Sequence, residues 1–310
     1  YSSGLPTDSV KTGYRSHFSR ENEIATAGYY SVLLDDYQIQ AELTATPRVA
    51  FQRFTFPKGT DNHILFNIGN RQGESGTVKD AYVTYTADGH IEGWVITIPE
   101  YVKKYQPGAS VPLYFSAVLD REPESYGSFH GNTQLADAKE SKGTGAGMYF
   151  TFSNEQQEAV TAKIGLSYTS VENARINLQA EAEGKTFEDA KEQAHQIWQE
   201  YLGRIEVETS KREDKVKFYT GLYHALLGRG LANDVNGAYP RNDGSVGQLP
   251  MKEGKPQYNV YNTDAAWGAQ WNLSQLWTLA YPEYMSEYVS SHIQAYKDAG
   301  WLADGLANNR

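Results

Sequence analysis

The chain has 310 residues, 40% of them hydrophobic and 21% charged, with no cysteine and a formal net charge of −10 at pH 7. That is the length and balance of a folded protein with room for two domains, and it excludes disulfides, Cys-ligated zinc and thiol catalysis. No basic cluster exceeds pairs such as Lys103-Lys104 and Lys211-Arg212, so a nucleic-acid partner is not expected; no apolar run approaches the roughly 18 residues of a membrane-spanning helix. The opening Tyr1-Ser-Ser-Gly-Leu-Pro6 is not a signal peptide. We therefore expect that a leader or a larger N-terminal piece has been removed.

From residue 14 to about 180 the pattern is β. Tyr29–Leu34 reads as a strand turning at Asp35-Asp36, Ile39–Thr46 alternates apolar and polar residues, and Val49–Phe56 continues to Pro57-Lys-Gly59. Ile64–Ile68 follows. Ala81–Thr86 and Ile91–Ile98 flank Ala87-Asp-Gly89, a hairpin signal. Pro112–Leu119, Gly147–Phe152 and Val160–Tyr168 complete the series, and the polar, Gly/Ser-rich stretch 120–145 reads as a long loop. So many strands and turns predict a large antiparallel β-sandwich.

The period then changes. Thr186 with Glu188 and Asp189 marks a helix start, and Phe187, Ala190, Ala194, Ile197, Trp198 and Tyr201 form one apolar face before Leu202-Gly203. Ile205–Glu208 reads as a short strand, and Ser210-Lys-Arg-Glu213 as a capping box. The helix it opens turns Val216, Tyr219, Leu222, Tyr223 and Leu226 inward and ends near Gly228. After a Gly/Asn/Asp-rich loop from Gly230 to about Gly254, helices are predicted over Ala265–Tyr281 and Pro282–Gly300, the last with Met285, Tyr288, Val289, Ile293 and Tyr296 on one face. The expected domains are a sandwich over 1–183, a helical linker over 184–209, and over 210–310 the first helices of an α/α array too short to close a toroid.

The stretch Tyr258–Trp277 carries the sharpest chemistry. Aromatic faces stack on pyranose rings, and carboxylates and amides hydrogen-bond hydroxyls. Asp264 is the first candidate sugar contact; its other readings are the N-cap of the helix starting at Ala265, or a calcium ligand. Trp267 and Trp271, four apart, share a helix face and either stack on sugar or pack in the helical core. Gln270 and Asn272 read as mid-helix amides needing a partner. The loop Asn233–Gly244 resembles a calcium loop in composition but lacks its spacing; Tyr239 and Arg241 are its candidate substrate contacts. Trp301 and Asn308-Asn309 fall at another helix end and are expected to line the same mouth. His17 and His224 read as hydrogen-bonded core histidines. Glu21 and Glu23 read as solvated or paired with Arg48 and Arg53.

Three series of residues carry a family resemblance. The first is Phe18-Ser-Arg-Glu-Asn-Glu23, Gly28–Leu33, Glu42–Thr46 and Arg53–Pro57. The second is Phe218–His224 with Asn233–Tyr239 and Asp243-Gly244; the third is Tyr261–Ala265, Trp271–Leu273, Leu276-Trp277, Ala280–Glu283 and Gly300–Leu302. In order and spacing they resemble the calcium-dependent exo-acting α-mannosidases of glycoside hydrolase family 92. The last series resembles a divergent branch, in which Asn-Leu and Tyr-Pro-Glu replace a commoner Trp-Asp-Thr version. The resemblance implies a β-sandwich followed by an (α/α)6 catalytic domain, inverting hydrolysis of terminal α-mannosides on glycans, a Ca²⁺ touching the sugar, and a secreted or periplasmic bacterial protein. By the family's layout the general acid, the general base and the calcium ligands fall after Arg310, so no catalytic residue or metal ligand is assigned here. The missing barrel segment is expected covalently or as a partner chain, and this piece alone is expected to be inactive.

Two other classes remain open at this point. One is a non-catalytic sandwich that binds glycan or protein. The other is a different sandwich-plus-toroid enzyme, a glycosidase, phosphorylase or polysaccharide lyase; the charge of −10 disfavours a lyase acting on acidic sugars.

Overall fold

A computed structural model describes residues 16–58, 62–71, 76–105, 107–153, 158–227, 230–262 and 266–302. The chain forms two compact units, one of residues 1–166 with 170–191 and one of 167–169 with 192–310. A large antiparallel β-sheet domain is followed by several helices.

The strands of the first unit are β1 (Glu23–Thr26), β2 (Tyr29–Leu34), β3 (Ile39–Ala45), β4 (Val49–Thr55), β5 (Asn62–Asn67), β6 (Thr77–Tyr85) and β7 (Ile91–Ile98). After helix α1 (Glu100–Tyr105) come β8 (Val111–Leu119), β9 (Ser125–His130), β10 (Thr133–Ala136), β11 (Glu140–Lys142), β12 (Ala146–Phe152) and β13 (Ala159–Ser167). A nine-stranded sheet has the order β1-β2-β3-β4-β13-β8-β7-β6-β11, and a four-stranded sheet the order β10-β9-β12-β5. Between them Phe66, Val83, Ile91, Phe115, Met148 and Phe150 form the main core, each contributed by the inward position of an alternating strand. The β6–β7 hairpin turns on Gly89 at φ +82°, a conformation that costs a residue without Cβ little.

The stretch 120–145 is not a loop, because β9, β10 and β11 lie in it. Its glycines and serines hid the alternation: Gly127 pairs with Tyr149 in β12, and a Cβ at 127 would lie 2.4 Å from the Tyr149 hydroxyl. A helix also falls inside the stretch read as sandwich. It is α2 (Val171–Ala182), whose N-cap Ser170 accepts from the Asn173 amide. Leu178 and Ala182 of α2 pack with Val49 and Phe51 on the outer face of the large sheet. Arg48 pairs with Glu181, and Arg53 with Glu42 and Glu188, rather than with Glu21 or Glu23. Glu23 instead accepts from the Tyr30 hydroxyl.

Helix α3 (Phe187–Gly203) opens as expected, with Thr186 and Asp189 capping one another: the Asp189 amide donates to Thr186 Oγ1 and the Thr186 amide to Asp189 Oδ2. Phe187, Ala190 and Ala194 are buried, whereas Ile197 is exposed. Residues 205–208 are not a strand, and α4 (Arg212–Leu226) starts after Lys211 with no side-chain cap, so Ser210 builds no capping box. Leu222 is buried on α4 but Val216 is exposed. His17, paired with Asp36, and His224 lie at the surface, not in a core.

Candidate functional site

Residues 230–262 form a layered loop built on β14 (Ala238–Pro240), β15 (Val246–Gln248), β16 (Met251–Lys252) and β17 (Lys255–Pro256). Three helices follow: α5 (Ala266–Ala269), α6 (Leu273–Ala280) and α7 (Pro282–Ala299). The single helix predicted over 265–281 is therefore broken. Asn272 has φ −159° and ψ −22°, outside helical space, and the Gln275 side-chain amide donates to the Gln270 carbonyl in place of a helical bond. Gln270 and Asn272 thus sit, with Trp271 between them, in the turn that separates α5 from α6. Trp267 is 60% exposed and Trp271 74%, so neither packs in the helical core; Asn272 is exposed beside them. The core beneath is Trp277, Tyr281 and Tyr288, all buried, with the Trp277 indole donating to the Ala225 carbonyl.

Helix α7 holds the loop through a polar stripe at 287, 291, 294 and 298. Glu287 accepts from the Tyr261 hydroxyl at 2.8 Å and from the Asn259 side-chain amide at 3.2 Å. Ser291 Oγ accepts from the Tyr261 amide. Gln294 accepts from the Tyr258 hydroxyl and donates to the Tyr239 oxygen at 2.7 Å. Asp298 accepts from Tyr239 at 2.9 Å, and Arg241 Nε lies 3.5 Å from it. Burial raises the Tyr239 and Tyr261 pKa values, and so keeps both phenols protonated as donors. This stripe divides the apolar face expected on α7: Met285 and Tyr288 pack inward, but Val289, Ile293 and Tyr296 are exposed.

The structure therefore joins Tyr239 and Arg241 on Asp298, and places Trp301, 61% exposed, just beyond the α7 cap Gly300. Trp267, Trp271 and Asn272 make a second group on the α5–α6 turn. Asp264 and Asn308-Asn309 lie outside the described residues. Glu287, Ser291, Gln294 and Asp298 were missed by the sequence reading; their spacing of four, three and four residues is the signal that shows them on one helical face.

The Asn233–Gly244 loop is closed by hydrogen bonds rather than arranged around an ion. Buried Asp234 accepts from the Ser167 hydroxyl at 3.0 Å and the Thr169 hydroxyl at 2.5 Å, and the Asn233 side chain accepts from the Val260 amide. Among the described residues no three His, Asp or Glu side chains converge as metal ligands. No ligand of the calcium that the resemblance implies is assigned among them.

Among curated proteins, an uncharacterized secreted glycosidase of Arthroderma benhamiae is 24% identical over 233 residues, which are 68% of this chain and 29% of that protein. Among solved structures, the family GH92 alpha-mannosidase BT3965 from Bacteroides thetaiotaomicron superposes with a TM-score of 0.82 at 23% identity, over 93% of this chain and 37% of that one. The family GH92 inverting mannosidase BT2199 from the same species superposes with a TM-score of 0.76 at 24% identity, over 94% and 37%. The chain thus spans about a third of the length of these relatives, and the fold is theirs, a β-sandwich with part of a helical barrel. The model of the glycosyl hydrolase family 92 N-terminal domain matches residues 3–167, that of the family's catalytic domain matches residues 173–310, and the chain belongs to glycosyl hydrolase family 92.

Proposed function

We propose that the protein of which this chain is part is an inverting exo-α-mannosidase that removes terminal α-linked mannose from glycans. The observation that carries this reading is the tandem match to both domains of one glycosidase family. The exposed Trp267 and Trp271 beside Asn272, and the exposed Trp301, support it, since exposed indoles and amides suit sugar rings and hydroxyls. Tyr239 and Arg241 are proposed to shape the same mouth, with Asp264 as a sugar contact.

Inversion needs one carboxylic acid at the leaving oxygen and one carboxylate to take a proton from water, roughly 6.5–9.5 Å apart. Glu287 and Asp298 hold loop residues through their hydrogen bonds, and we assign neither role to them. The acid, the base and the calcium ligands are proposed to come from polypeptide beyond residue 310, which also closes the barrel begun at residue 210, after the sandwich (1–183) and linker (184–209). The relatives' greater length supports this. So do Leu279, Val289, Ile293 and Tyr296, which leave an exposed apolar surface on α6 and α7. Export from the cell is proposed from the secreted relative.

The test is the intact mass of the natural protein and, on the same sample, mannose release from an α-mannoside with and without chelator. The anomer formed first is read by NMR. A mass well above 34.7 kDa, with chelator-sensitive release of β-mannose, is expected. A natural mass equal to this chain with no turnover overturns the proposal.

A further inference from the structure

We infer that Glu287 is a positioning residue: through Tyr261 it fixes the turn that carries Trp267 and Trp271, and so sets how tightly the site holds sugar. This deepens the functional proposal and rests on it, because it takes those two indoles as sugar contacts.

The α5–α6 turn is exposed, yet both of its flanks are fastened to one face of α7. On the entering side stands Tyr261, a few residues before α5 begins at Ala266. On the leaving side stands Trp277, within α6. The Tyr284 ring meets both edge to face, with centroids 4.9 Å from Tyr261 and 5.1 Å from Trp277. Tyr284, Glu287, Tyr288 and Ser291 recur at helical spacing, so one stripe of α7 serves both flanks.

The two flanks are held differently. Trp277 is buried in an aromatic core with Tyr281 and Tyr288, and its indole is bonded to the Ala225 carbonyl. Tyr261 belongs to irregular chain and is held at separate points. Tyr284 packs on its ring, Ser291 Oγ accepts from its amide at 2.9 Å, and Glu287 accepts from its phenol at 2.8 Å. The same carboxylate takes the Asn259 side-chain amide on both oxygens at 3.2 Å and the Asn259 backbone amide at 3.3 Å. Glu287 is thus the group on which residues 259 and 261 both hang, and bonds to a carboxylate are stronger than bonds between neutral groups. Burial and the charge of Glu287 keep the Tyr261 phenol protonated, so it remains a donor.

A binding contact has to be held to within about 0.5 Å. Of the turn itself, Ala269 is packed in the helical core, whereas Trp267 and Trp271 are open to solvent. Their placement therefore depends on the flanks, and the Tyr261 flank depends on Glu287. Indoles that stack on a sugar do so in the ground state and the transition state alike, so misplacing them weakens substrate binding more than it slows the chemical step.

The test is made on the full-length natural protein acting on an α-mannoside. Glu287→Ala should raise KM roughly five- to tenfold with kcat within about twofold. Glu287→Gln keeps an oxygen for the Tyr261 phenol and should recover most of the loss. In a background carrying both Trp267→Ala and Trp271→Ala, Glu287→Ala should raise KM no further, because the contacts it places are gone. Tyr281→Phe is the control: it removes the bond from the Tyr281 hydroxyl to the Tyr201 carbonyl, and should lower stability with KM unchanged. An unchanged KM in Glu287→Ala, a rise that persists in the Trp-less background, or an equal rise in Tyr281→Phe overturns the inference. If Glu287→Ala does not fold, Tyr261→Phe removes the phenol bond alone and should raise KM about two- to threefold; an unchanged KM there also overturns it. Fluorine NMR of the protein carrying fluorotryptophan, assigned by Trp→Phe substitutions, reads the indoles without turnover. Glu287→Ala should shift the Trp267 and Trp271 signals and leave that of Trp94 on β7 in place. Unmoved signals overturn the inference whatever the substrate. Shifted signals in a protein that releases no mannose overturn only the functional proposal.

Discussion

The Tyr239 hydroxyl donates to Asp298 at 2.9 Å while accepting from the Gln294 side-chain amide at 2.7 Å, so one buried phenol ties β14 to the last two turns of α7. Tyr239→Phe keeps the ring and removes both bonds. The Gln294 amide and Asp298 then each lose a partner in a partly buried site, which costs on the order of 1–3 kcal/mol. Urea unfolding of the helical unit should show a lower midpoint with an unchanged slope. A midpoint equal to wild type would mean that the phenol does not fasten the loop.

Gly247 is the partner of Tyr239 across β14 and β15, and a Cβ there would lie 2.3 Å from the ring carbon Cζ. Gly247→Ala therefore pushes the Tyr239 ring off its partners, a loss of roughly 1–3 kcal/mol. In a Tyr239→Ala background the same methyl has room. The two substitutions should fall short of additivity by more than about 0.5 kcal/mol; strict additivity would show that the ring and the glycine are not in competition.

Strands with plain alternation, such as β3, β5 and β6, were readable because one face is the more buried, and period two survives in the sequence. The β9–β11 region was not, since there Gly127, on the face opposite core-facing Tyr126, carries no side chain so that Tyr149 can lie across it. The break at Gln270–Asn272 was also illegible: Trp267 and Trp271 are spaced as on one helix, and the non-helical backbone comes only after them, at Asn272. On α7 the reading stopped at apolar residues. Its second inward face is polar, because it must satisfy the irregular backbone and side chains of the loop 258–261.

Glu42 gives a pH dependence. Its two bonds from Arg53, both 2.7 Å, with help from the Tyr29 hydroxyl, hold its pKa below the ordinary value of 4.5. A depressed folded pKa means the unfolded chain binds protons first as pH falls. Stability from this pair is therefore fully present above the ordinary value and is lost as pH drops through the folded one. Glu42→Gln should lower stability at pH 7 and flatten its decline below about pH 5. Parallel curves for variant and wild type would remove Glu42 from the acid-sensitive set.

The exposed indoles separate folding from binding. Trp267 and Trp271 keep 60% and 74% of their surfaces open, so truncation removes little buried area. Trp267→Ala and Trp271→Ala should each change unfolding free energy by no more than about 0.5 kcal/mol. If they stack on sugar, each should lower kcat/KM of the full-length protein toward an α-mannoside roughly tenfold, the rate equivalent of about 1.4 kcal/mol. A single aromatic contact has about that worth. Trp→Phe should recover part of the loss, because a smaller ring still offers a face. The buried Trp277 is the control: Trp277→Ala should cost about 3–5 kcal/mol and abolish folding of the helical unit before any binding effect can be read. Unchanged kcat/KM in both exposed variants would take the α5–α6 turn out of the substrate mouth. The sugar platform would then have to be sought at Trp301 and along the Tyr239–Arg241 side.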